Sequence, residues 1–77
     1  MKRFQVVYQN ATLIESDSLR DILSFLIAEG DNATRFQCLQ DGENQPAVIK
    51  EVLVYFWEQQ MRREQFLERI ERQMRDD

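Results

Sequence analysis

Histidine is absent from this chain, and cysteine occurs once, at Cys38. One thiol forms no internal disulfide, and without histidine it builds no structural zinc site. The same shortage removes the usual general base and the base a cysteine nucleophile needs. Glycine occurs only at Gly30 and Gly42 and proline only at Pro46, so no glycine-rich phosphate loop is present. The longest apolar run, residues 52–57, is far too short to span a bilayer. The opening Met1-Lys2-Arg3-Phe4 has two basic residues but no apolar stretch behind them, so no signal peptide is expected. A cytoplasmic protein with a reduced thiol is the resulting expectation. The glycosylation sequons at Asn10 and Asn32 then read as chance matches at turn residues.

What remains is a folding composition. Hydrophobic residues make up 43% of the 77 and charged residues 31%, which excludes disorder. One small domain, 1–77, is expected. A domain of this size buries a modest fraction of its surface and usually needs a staple or a partner. With disulfide and zinc excluded, a partner chain is the remaining route unless helix packing is unusually good. The net charge of −4 argues against general phosphate binding, which relies on an excess of lysine and arginine.

Residues 3–9 alternate as a strand, with Phe4, Val6 and Tyr8 on one face. A turn at Gln9-Asn10-Ala11 leads to a short second strand at 12–15, giving a hairpin. Ser16-Asp17-Ser18 marks a helix start, and Asp21 adds a carboxylate to the first turn. Leu19, Ile22, Leu23 and Leu26 follow at helical spacing, and Gly30 suits the position after the last turn. The predicted helix covers 18–29. A third strand is predicted over 35–40, with Phe36 and Cys38 inward and Arg35 and Gln37 outward. Residues 41–44 read as a turn or loop, and Pro46 fits the first turn of a final helix.

From Ala47 onward neither glycine nor proline interrupts the chain. One long amphipathic helix is predicted from 46 toward the C-terminus, although β-forming residues 52–57 leave a strand open as a competing reading. The expected fold is therefore α+β, in the order ββαβα. A three-stranded antiparallel sheet in the order 2-1-3 packs on one helix, as a 1–45 core followed by the long helix 46–77. Thirty helical residues span roughly 45 Å, against roughly 30 Å for a compact domain of this length. The outer part should therefore project, with Phe66, Leu67, Ile70 and Met74 as an apolar face and Arg63 on its seam. The alternative is a fold-back through a kink, which leaves that face covered.

Other candidates are weaker. Cys38 on an apolar strand face reads as a buried structural residue. Asp17 with Asp21 and Glu64 with Glu68 lie one turn apart, but solvated or cap-proximal charge explains both pairs. Arg62, Arg69 and Arg72 are the candidate contacts for a nucleic-acid reading, opposed by the acidic residues on the same helix. Tyr55 and Trp57 read better as core or interface anchors than as base-stacking platforms. The expectation is a non-enzymatic protein-binding module, an adaptor, inhibitor or regulatory subunit, docking or homodimerising through Phe66, Leu67, Ile70, Met74 and Arg63. No metal, cofactor or small-molecule substrate is inferred.

Overall fold

The computed structural model describes residues 2–58 and 61–75, the last two without their side chains. Two strands, β1 (Phe4–Tyr8) and β2 (Ala11–Ser16), are followed by α1 (Leu19–Glu29). A 3₁₀ segment (Gly30–Arg35) leads to β3 (Gln37–Gln40), β4 (Glu43–Asn44), α2 (Pro46–Glu58) and α3 (Arg63–Arg75). The sheet is antiparallel with strand order β2-β1-β3-β4. The fold is α+β as expected, with a fourth strand and a third helix.

Local chemistry accounts for most elements. Gln9 and Asn10 both hold positive φ, 52° and 67°, the pattern of a two-residue type I′ turn that matches the twist of its strands. Asp41 and Gly42 repeat it at 54° and 85°. The two-residue β4 was read as part of a loop, but Asp-Gly is itself a hairpin signal, and Gln40 pairs with Glu43 across it. The β1–β2 register shifts between Val6, opposite Ile14, and Val7, opposite Thr12. Leu13 is thus the extra residue of a bulge.

Ser18 stands at the N-cap of α1 but makes no side-chain cap bond. Ser16 organises the entry instead. Its Oγ accepts the Ser18 N–H at 3.0 Å and donates to Asp21 Oδ2 at 3.0 Å. Gly30 ends the helix at φ 65°, a conformation that costs glycine little. The following 3₁₀ segment, unmarked in the sequence reading, carries Ala33 into the core. It also shortens the third strand, which starts at Gln37 instead of 35.

The helices cover one face of the sheet, where Phe4, Val6 and Cys38 meet Ile22, Leu23, Leu26, Val48 and Val52. The opposite face, with exposed Glu15 and Gln37 and half-buried Gln5, Val7 and Leu39, carries no helix among the described residues. The molecule measures 33 × 30 × 16 Å with a radius of gyration of 11.6 Å.

The single helix over 46–77 is corrected. Residues 52–57 are helical, which resolves the strand alternative, but α2 ends at Glu58 and α3 starts at Arg63. The chain folds back, and Phe66, Leu67 and Ile70 are buried in its own core. A straight helix of roughly 45 Å would overrun the 33 Å body and leave these side chains in water. Each is worth roughly 1.5–3 kcal/mol when buried. Local signals assist the new start. The Arg62 N–H donates weakly to Gln65 Oε1 at 3.4 Å, half of a capping box, and Glu64 lies in the first turn. The Phe66 ring stacks on Tyr55 of α2 with centroids 4.5 Å apart.

Phe66→Ala should therefore cost about 3–5 kcal/mol of stability, read as a lower midpoint in urea denaturation followed by circular dichroism. The Leu67→Asp/Ile70→Asp double variant is expected to unfold the chain, because each carboxylate would be buried without a partner.

Candidate functional site

The sequence-predicted interface residues divide on folding. Phe66, Leu67 and Ile70 lie in the core and present no apolar face to solvent. Arg63 is exposed at the first position of α3. The side chain of Met74 lies outside the described residues. Of the arginines, Arg69 turns to α2, where its Nη2 donates to Glu51 Oε1 at 3.1 Å, while its Nε is buried without an acceptor. Arg62 and Arg72 are exposed. The three therefore do not form one free basic stripe.

A residue not singled out from sequence, Arg20, holds α3 down. From α1 its Nη1 donates to both Glu64 oxygens, at 2.9 and 3.1 Å, and its Nη2 to Glu71 Oε1 at 3.0 Å. The hydrogen bond with Glu64 raises the guanidinium pKa above its ordinary value, desolvation opposes this, and the charges of both glutamates add to the rise. The available signal was the i, i+7 spacing of Glu64 and Glu71, which flanks buried Leu67 on two successive turns. Glu64 and Glu71 are thus structural partners of Arg20. Asp17 likewise accepts the Arg3 backbone N–H at 2.9 Å.

Cys38 is fully buried on β3. Burial pushes its thiol up to about 11, the opposite of what a nucleophile needs. Among the described residues no group of three or more histidine, cysteine, aspartate or glutamate side chains gathers to hold a metal ion. No helix among them is long and apolar enough to cross a membrane.

What the fold does present is apolar surface on α2. Residues 52–57 carry large side chains nearly all the way round the helix. Val52 enters the core, and Tyr55 meets Phe66. Trp57 receives no such place and is 73% exposed. It borders a hollow of about 350 Å³ lined also by Phe36, Pro46, Ile49, Leu53 and Val54, with Lys50 as the one charged lining residue. Among the described residues Lys50 makes no ion pair, whereas five other pairs form across the surface.

On the other side of Phe36 lies a second cleft of about 410 Å³. It is lined by the apolar and aromatic side chains of Tyr8, Leu13, Phe25 and Phe36 and by the polar Glu29, Asn32 and Arg35. The Phe36 ring lies 5.6 Å from Tyr8 and 6.3 Å from Phe25, centroid to centroid. Comparison of the chain with family models, with curated proteins and with solved structures finds no match.

The Cys38 thiol has a checkable pH consequence. Its folded pKa lies above the ordinary 9.0, so the folded state holds the proton after the unfolded state has released it. Its contribution is neutral below about 9 and becomes destabilising as pH rises toward about 11, by roughly 1.4 kcal/mol per unit. Denaturation midpoints from pH 8 to about 11 should fall more steeply for the wild type than for Cys38→Ala.

Proposed function

We propose that the chain is a non-enzymatic protein-binding module that docks a partner through the outer face of α2, with Trp57 as its anchor. The observation that carries this reading is the 73% exposure of Trp57 beside an apolar hollow built on Ile49, Leu53 and Phe36. Large aromatics are over-represented among the residues that dominate binding energy, and they act from the centre of a contact. A tryptophan left in water on a chain of this size is a cost that burial against a partner removes.

The charge pattern narrows the partner. The chain as a whole is acidic, while the hollow holds Lys50 and no carboxylate in its lining. A protein segment that brings one or two apolar side chains and an aspartate or glutamate complements it. An adaptor, inhibitor or regulatory subunit would act in this way. Relative to the expectation from sequence, the binding role is kept and the surface moves from α3 to α2. Self-association through the same hollow remains within the reading, because a second copy carries ample carboxylates.

Trp57 is the only tryptophan, so its emission reports directly on the surface. The free chain should emit as a solvent-exposed indole and shift to the blue when a partner, or a second copy at high concentration, covers it. Trp57→Ala should change stability by less than about 0.5 kcal/mol yet weaken docking by 2 kcal/mol or more, about 30-fold. A partner retained equally by wild type and Trp57→Ala, in affinity capture followed by titration, would sink the proposal.

A further inference from the structure

The second cleft combines features that point to a small ligand rather than a docking face. The spacing of its polar lining residues follows from the 3₁₀ segment. Three residues make one turn there, so side chains three apart stack on the same side. Asn32 and Arg35 are so spaced, and Glu29, the last residue of α1, precedes Asn32 by three. All three line one cleft, while Ala33 turns to the core. Phe36, the next residue, supplies the wall between this cleft and the Trp57 hollow.

The lining therefore combines a carboxylate, an amide and a guanidinium with aromatic rings. Glu29 and Arg35 form none of the ion pairs found among the described residues, with each other or with a third group. A cleft of about 410 Å³ is within the range that holds small molecules, and a mostly apolar lining with a few convergent polar groups is the usual composition of such sites. The rings of Tyr8, Phe25 and Phe36 favour a planar aromatic guest. The guanidinium of Arg35 offers a fork for a carboxylate, and Glu29 offers an acceptor for an ammonium.

We infer that this cleft binds a free aromatic α-amino acid. The ring lies among Tyr8, Phe25 and Phe36, the carboxylate on Arg35 and the ammonium on Glu29, with Asn32 bonding to either end. Leu13, 40% exposed at the bulge of β2, closes the apolar side. The site lies apart from Trp57 and would leave that hollow free for a protein.

The test uses the full chain and L-phenylalanine, with binding followed by amide shifts in ¹H–¹⁵N spectra. L-Phenylalanine should bind saturably at about millimolar or tighter, with the largest shifts at residues 29–36. N-acetyl-L-phenylalanine, which lacks the ammonium, and L-phenylalaninamide, which lacks the carboxylate, should each bind about tenfold weaker or worse. Arg35→Gln should reduce phenylalanine binding to the level of the amide, and Glu29→Gln to the level of the acetyl derivative. Trp57→Ala should bind phenylalanine as the wild type does. The inference is overturned by the absence of saturable shifts, by either capped analogue binding as tightly as L-phenylalanine, or by loss of binding in Trp57→Ala.

Discussion

When Phe66, Leu67 and Ile70 leave water between α1 and α2, each removes a large apolar side chain from solvent, at roughly 1.5–3 kcal/mol apiece. For a small domain whose single cysteine can form no internal disulfide, that is a substantial share of a total stability of about 5–15 kcal/mol. The rest of the architecture follows from accommodating this return. α2 has to end at Glu58, Tyr55 has to meet Phe66, and α1 has to offer a cation to the carboxylates that flank the apolar seam. Arg20 supplies that cation at the surface, where ion pairs add modestly. Its geometric role is clearer: it ties two glutamates seven residues apart on α3 to one point on α1.

The same return explains why the exposed apolar surface lies on α2. Chain length limits how many large side chains one core can take. Once Phe66, Leu67 and Ile70 occupy the space beside α1, the far side of α2 is left with Leu53, Val54 and Trp57 around an open hollow. The exposed tryptophan is the surplus of a helix that is apolar nearly all round, on a fold that covers only part of it. The second cleft has a different origin. The 3₁₀ segment, with three residues per turn, brings Asn32 and Arg35, together with Glu29 just before it, to one cleft with aromatic side chains drawn from β1, α1 and the approach to β3.

Much of the local structure was legible. The hairpin was readable because alternation places Phe4 and Val6 inward and because Asn10 accepts positive φ. α1 was readable because four apolar residues at helical spacing stand between polar entry residues and a glycine. Cys38 was readable as a buried residue from its strand position. The misses share a cause. β4 is two residues long and the 3₁₀ segment has no periodicity to detect, so neither carries a pattern longer than its neighbours impose. The sequence between α2 and α3 lacks glycine and proline, so one continuous helix was preferred to the fold-back held as its alternative. Trp57 was recognised as a possible anchor, but its exposure depends on which competing side chains filled the core first.

Composition and spacing by themselves determined the α+β class, the first hairpin, α1, the single-cysteine framework and the lack of a histidine-based site. These depend on residue identity and on neighbours a few positions away. Tertiary structure alone decided the direction of α3, the partnership of Arg20 with Glu64 and Glu71, the capture of Arg69 by Glu51, and which apolar residues stayed outside. A straight helix and a folded-back pair satisfy the same local preferences between residues 46 and 75. The difference between them is the apolar area buried against α1, and that area does not exist until the remote parts of the chain have come together.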